Sequence, residues 1–382
     1  MEQQSVRKTF KYKLLPTLEQ AQALEMVLWR CRELYNAGLQ ERTAAWERRR
    51  VSVTFAMQSA QLPAIKDVRP EYREVNAQVL QDVLHRLDKT FQAFFRRVQA
   101  GEQPGYPRFQ GRDRYNSFTY PQVGEHGGAA LDGSVLNLSK VGRIPMRLHR
   151  PLQGTPKTVT VCREADGWYA CISCAEVPIE PLPATGHETG IDVGLKVFLI
   201  TADGELIENP RHYRKMEQQL AKAQRRVSRR KKGSKRRRKA VHLLKRHHQT
   251  VQRQRRDFHH KTALALLRQY DTVYLEDLRV ANLVRNRYLA KSISDAGWAA
   301  FRTILEAKAA YAGRRVVAVP PAYTSQECSG CGEFVRKSLS VRTHVCPSCG
   351  LVLDRDENAA KNIRRAGQAR QAPTWPVAAS VA

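Results

Sequence analysis

Four cysteines and a handful of acids carry the first chemical signal. Cys328-x-x-Cys331 and Cys346-x-x-Cys349 are separated by fourteen residues, and each pair is followed directly by a glycine, Gly332 and Gly350. A C-x-x-C turn offers two thiolates to one tetrahedral ion, and the trailing glycine lets the backbone wrap the sulfur. Two such turns complete a closed four-thiolate site. Geometry and ligand softness make that structural zinc, with iron compatible with the same ligand set. A closed site does no chemistry itself, so it supports something else.

Asp192 lies between Ile191 and Val193 in an apolar, strand-patterned run, and alternation turns it to the face shared with Gly190 and Gly194. Glu276 follows Val273, Tyr274 and Leu275, ends its strand and shares a face with Tyr274. Asp354 and Asp356 come straight after the cysteines, at the start of the final helix. A carboxylate in an apolar strand is costly unless it is paired or metal-bound. Three carboxylates converging at strand ends would hold Mg²⁺ or Mn²⁺, because hard ions want oxygen ligands. Two such ions ~3.5–4 Å apart activate water and stabilise the leaving oxygen of a phosphodiester. Taken singly, each acid has a structural alternative: a turn aspartate at 192, a salt-bridged glutamate at 276, a helix cap at 356. Residue patterning does not choose between Asp354 and Asp356.

The charge balance names a partner class. Lys and Arg number 65 against 36 Asp and Glu, a net charge of +29. That excess points to nucleic acid or an anionic membrane. Apolar runs such as Ala263–Leu267 and Val316–Val319 fall far short of the ~20 residues of a membrane span. Met1–Leu15 lacks the apolar segment of a signal peptide. The expectation is a cytoplasmic protein, nucleoid-associated when bound to DNA and without a membrane partner. Its eight cysteines are then not a disulfide framework. No acid occurs between Glu217 and Asp257. Arg229, Arg230, Lys231, Lys232, Lys235, Arg236, Arg237, Arg238 and Lys239 crowd that stretch. Such a block repels itself, and phosphate contact relieves the repulsion while releasing counterions. These nine are the candidate nucleic-acid contacts. His247-His248 and His259-His260 read as phosphate contacts or exposed residues.

Elements must position these groups. Residues 5–15 alternate as a strand, Pro16 ends it, and Thr17 with Gln20 fits a capping box for a helix through Tyr35. A second helix is predicted from Arg73 to Val98, with the whole stripe from Val79 to Val98 as bundle core. Short β-patterned runs from Ser117 to Val177 favour an antiparallel barrel or sandwich. There Cys171 and Cys174, three apart in a strand, fall on opposite faces and read as packed cysteines. After a linker at 181–190 the pattern becomes α/β. The strands are GIDVGLKVFLI, TADGELIE, DTVYLEDL and RRVVAVPP. Helices are expected over 211–268, over Ser292–Ala312 and from about Glu357. The tail 367–382 has no periodicity and reads as disordered.

Gly190-Ile-Asp-Val-Gly-Leu-Lys196, then Val273-Tyr-Leu-Glu-Asp-Leu278, the two cysteine turns and Leu353-Asp-Arg-Asp-Glu-Asn-Ala-Ala-Lys-Asn-Ile363 run in the order seen in TnpB. TnpB is the OrfB-type protein of insertion sequences, similar to the compact type V CRISPR effectors. Tyr12-Lys-Leu-Leu-Pro16, Tyr35-Asn36 and Gly105-Tyr-Pro-Arg-Phe109 also resemble that family, so the resemblance covers essentially the whole chain. It implies an α+β multidomain protein: a wedge-like β-barrel (1–16 and 104–182), a helical recognition domain (17–103) and an RNase H-like RuvC nuclease domain (187–366). The nuclease domain carries the basic helical segment 211–268 and an inserted zinc ribbon, 322–352. By that match Asp192, Glu276 and Asp356 are the catalytic, Mg²⁺- or Mn²⁺-binding carboxylates. The implied activity is RNA-guided DNA cleavage, with a guide RNA from the transposon end and a double-stranded target beside a short motif. Competing readings are a guide-free junction nuclease and a non-catalytic zinc-ribbon regulator of transposition. Oligomeric state is not legible.

Overall fold

The computed structural model describes residues 5–338 and 341–371, and the chain divides into two units at Pro178/Ile179. In the first, β1 (Ser5–Leu14) leads into α1 (Leu18–Arg49). The predicted capping box is present: the Gln20 amide donates to the Thr17 hydroxyl at 3.2 Å, and the Thr17 amide to the Gln20 side chain at 3.0 Å. Short helices α2 (Phe55–Ala60) and α3 (Leu62–Val68) precede α4 (Ala77–Gln99). This last helix begins at Ala77 rather than Arg73, because Pro70–Glu74 forms a 3₁₀ turn and Asn76 caps the helix by accepting from the Gln78 amide. Val79, Leu80, Val83, Leu84, Leu87 and Phe91 are buried, but Phe95 and Val98 are 55% and 49% exposed, so the apolar stripe outlasts the core it packs into.

Six more strands complete the first unit: β2 (Ser117–Tyr120), β3 (Ala129–Asp132), β4 (Val135–Leu138), β5 (Gly142–Arg147), β6 (Thr155–Glu164) and β7 (Gly167–Pro178). They form one antiparallel sheet in the order β2-β6-β7-β1-β5-β4-β3. A bridge from Val123, just past one edge strand, to Ala129 on the other brings the edges together into a nearly closed barrel. Cys174 points inward and is buried while Cys171 points outward, as alternation requires.

The second unit is an α/β sheet in the order β10-β9-β8-β11-β12. Its strands are β8 (Glu188–Val193), β9 (Val197–Thr201), β10 (Leu206–Glu208), β11 (Thr272–Glu276) and β12 (Arg315–Val319). The first three pair antiparallel, and β8, β11 and β12 pair in parallel, as expected of an RNase H-like sheet. Residues 190–200, read as one strand, are two. The chain reverses at Gly194–Lys196, where the Gly194 amide donates to the Phe198 carbonyl and a Cβ would stand 2.9 Å from the Val197 oxygen.

Helices α5 (His212–Ser228) and α6 (Lys235–Gln269) form the basic segment as a hairpin. Beyond β11 come α7 (Val280–Leu283), α8 (Ala290–Ala296) and α9 (Trp298–Tyr311). The last two replace the single helix expected from Ser292 to Ala312, because Gly297 takes φ +69° between them. A ribbon with β13 (Thr343–Val345) and β14 (Val352–Asp354) precedes α10 (Arg355–Gln371). That helix runs into the segment read as tail; residues 372–382 lie outside the described residues. One sheet face packs Ile191, Phe198, Val273 and Leu275 against α6 and α9. The other meets α10. There a Cβ on Gly190 would stand 2.1 Å from the Ala360 oxygen, and a Cβ on Gly367 would stand 1.9 Å from the Tyr274 ring. Both glycines are what lets that helix lie flat on the strands. Among the described residues no helix is long and apolar enough to cross a membrane.

Candidate active site

Alternation along β8 places Ile191 in the α6/α9 core and so turns Asp192 with Gly190 toward α10. On β11, Tyr274 packs against Ile363 of α10, and Glu276 shares that face. The register pairs Ile191 with Leu275, so the two acids follow side by side at the carboxyl ends of parallel neighbours. The third acid, Asp356, comes from the first turn of α10.

The site's electrostatics follow from this packing. Burial, then the negative charges of Glu276 and Asp356, push the Asp192 carboxyl well above its ordinary range, and Arg355 opposes them. Burial also raises Glu276, offset by a hydrogen bond: the Thr324 hydroxyl donates to Glu276 Oε1 at 2.6 Å. Crowded, desolvated carboxylates of this kind are what a divalent cation stabilises. Asp356 is paired with Arg355 at 3.0 Å and Arg342 at 3.2 Å, contacts that a cation would have to exchange. Asp354 is exposed, and its Oδ1 accepts from the amides of Asp356 and Glu357, the geometry of a helix N-cap.

The four cysteines of the ribbon form the one group of metal-ligating side chains, among the described residues, whose ligand atoms all lie within 4.8 Å of one another. Both turns use the same bonds. The glycine amide donates back to the first cysteine's carbonyl, Gly332 to Cys328 at 2.9 Å and Gly350 to Cys346 at 3.0 Å. The first cysteine's amide donates to the residue after the glycine, at 2.8 and 2.9 Å. Both glycines have positive φ, +83° and +74°, so the trailing glycine is a backbone requirement. Cys328 and Cys346 are buried, Cys331 and Cys349 exposed. The four thiols could together hold one metal ion.

Several residues that bind the site together were not among the candidates read from the sequence. Buried Asn358 accepts from the Ser329 amide at 2.9 Å and donates to the Glu327 carbonyl at 2.7 Å. Asn362, one turn on, donates to the carbonyls of Thr324 and Glu327, both at 2.8 Å. Helix α10 thus grips the first cysteine turn and the threonine that reaches Glu276. The clue available was two asparagines at i, i+4 among alanines on a helix face.

The basic segment is only partly as expected. Most of the nine candidate cations are exposed at the hairpin tip and on the outer faces. Arg237 is different: its Nη1 donates to the carbonyls of Val227 at 2.6 Å and Arg230 at 3.0 Å, closing the end of α5. His259 is a core residue rather than an exposed one. It is 1% exposed, and its Nε2 lies 2.9 Å from the Ala296 carbonyl.

Three family profiles match: OrfB_IS605, described as "Probable transposase", over residues 171–287; a Cas12f1-like TNB domain over 298–363; and a "Helix-turn-helix domain" over 1–50. Within the last, residues 5–49 are one strand and one long helix. A protein of Streptomyces pristinaespiralis named "Putative RNA-guided DNA endonuclease" is 39% identical, covering 97% of this chain and 91% of its own. InsQ of Escherichia coli K12, named in the same way, is 29% identical over 94% and 92%. Among solved structures, the mini-RNA-guided endonuclease CRISPR-Cas_phi3 shares the fold at a TM-score of 0.51 and 9% identity, over 95% and 92% of the chains. With near-complete coverage by a relative this similar, and with strands β8 and β11, the cysteine ribbon and α10 in the expected order, the chain belongs to the OrfB_IS605 family of TnpB-like proteins.

Proposed function

We propose that the chain is an RNA-guided, divalent-metal-dependent DNA endonuclease of an insertion sequence. What supports this reading is that Asp192 and Glu276 end neighbouring parallel strands side by side, with Asp356 in the first turn of the helix that packs over them. Nearly full-length relatives named as RNA-guided DNA endonucleases support the substrate and the guide. Asp192 and Glu276 supply carboxylate oxygens for Mg²⁺ or Mn²⁺, and Asp356 completes the set after releasing its arginines. Bound there, such ions activate water and stabilise the leaving oxygen of a phosphodiester. Thr324 fixes the rotamer of Glu276. The exposed cations of the α5–α6 hairpin bind phosphates, and the cysteine ribbon holds Zn²⁺. The guide comes from the transposon end, and a short duplex motif beside the target is read by the protein.

The test is plasmid-library cleavage by protein carrying its co-purified RNA, by RNase-treated protein and by Asp192→Ala. RNA-dependent cuts at defined sites, lost in Asp192→Ala and with EDTA and restored by Mg²⁺, are expected. Equal cutting after RNase treatment would replace guiding with a junction-nuclease activity. Cutting by Asp192→Ala would remove the metal mechanism.

A further inference from the structure

In the first unit, α1, β6 and the segment before β2 enclose a cavity of about 450 Å³, within the usual size of a ligand pocket. Trp29, 43% exposed, forms one side, and the Arg30 guanidinium stacks on its ring at 4.2 Å. Buried Tyr115 forms another, its ring held against Tyr35 at 5.9 Å. Arg163 donates through Nη1 to both Glu25 oxygens, at 2.8 and 2.6 Å, and through Nη2 to the Arg112 carbonyl at 3.1 Å. The acid that lines the cavity is therefore already neutralised. Two further guanidiniums, Arg32 and Arg112, line it with no ion pair among the described residues, and the buried Nε of Arg32 has no hydrogen-bond partner.

A flat, partly exposed indole beside two unmatched guanidiniums fits one chemistry: a planar base carrying a phosphate. We propose that this cavity takes one unstacked nucleotide of a bound strand, its base against Trp29 and its phosphate on Arg32 and Arg112. Trp29 and Arg112 are both exposed, so the strand can continue out on either side. The inference rests on the nucleic-acid reading above and assigns a contact distant in sequence from the basic hairpin.

The test uses the full chain with short single-stranded RNA and DNA, each carrying one photoreactive thio-pyrimidine, with adducts mapped by mass spectrometry. Adducts at Trp29 or Tyr115 are expected, with RNA alone or DNA alone identifying the strand. Trp29→Ala should weaken binding about tenfold, as loss of one stacked base does, and Trp29→Phe should restore most of it. Trp29→Phe, which keeps a ring for Arg30 to stack on, should leave thermal unfolding unchanged. Adducts confined to residues 212–269, with Trp29→Ala binding as tightly as the wild type, overturn the pocket and leave the endonuclease reading standing. A wild-type chain that binds neither strand overturns both.

Discussion

Thr324→Val keeps the shape of its side chain and removes only the hydroxyl that donates to Glu276. A hydrogen bond to a charged group contributes roughly 1.5–3 kcal/mol, so cleavage is expected to fall by about tenfold, with a higher Mg²⁺ requirement and an unchanged fold. A Mg²⁺ titration that matches the wild type would remove Thr324 from the site. His259 makes a different prediction. Burial lowers its pKa from 6.5 to about 4, so below pH 6.5 the unfolded chain takes up a proton that the folded chain refuses. Its contribution is complete above pH 6.5 and is lost as pH falls toward 4. Between pH 7.5 and 5 this amounts to about 2 kcal/mol. His259→Phe, stacked among Phe198, Phe258 and Phe301, should flatten that acid dependence relative to the wild type in parallel urea titrations. Equal slopes would contradict the assignment.

At the level of elements, the ribbon and α10 act together. Cys328→Ser or Cys346→Ser should lose bound zinc, measured by elemental analysis. Each should also loosen the Thr324–Glu276 contact, because Asn358 and Asn362 hold the backbone of that same turn. Structural zinc contributes folding energy directly, so chelation should lower the unfolding temperature; a wild-type chain without bound metal would refute the site. The basic hairpin divides by role. Alanine at Arg236, Arg238 and Lys239, all exposed, should reduce the dependence of log K on log salt by about 0.7–0.9 for each phosphate no longer neutralised. Arg237→Ala should instead destabilise the α5–α6 turn, since its guanidinium is bound to backbone carbonyls. The same salt slope in the triple variant would move nucleic-acid binding elsewhere.

For the whole molecule, what the sequence discloses depends on the distance between partners. Alternation put Asp192 on the side of Gly190, and the cysteine spacing gave the ribbon, because both are local patterns. The reversal at Gly194–Lys196 and the break at Gly297 were hidden, since a short apolar run continues through a single-residue bend. The contacts of Thr324, Asn358 and Asn362 were hidden because their partners lie 29 to 48 residues away in sequence. The capping bonds of Arg237 and the burial of His259 were hidden for a related reason: their partners are backbone carbonyls, which carry no residue signature. The pattern of acids in apolar strands offered a metal site with structural alternatives at each position, and the resemblance implied the catalytic role proposed for them.

Both units are closed by segments far apart along the chain. β1 pairs with β5 and β7, so the first sheet has no centre until Pro178 is made. In the second, the groove over Gly190 stays open until α10 arrives, and that helix brings both Asp356 and the asparagines that grip the ribbon. Domains form as they leave the ribosome, N-terminal part first. On the proposed role of the acids, a chain stalled or cut short before α10 has at most two of the three carboxylates and no ribbon clamp. On that reading, cutting competence arrives only with α10, and a product that stops short of it binds without cutting.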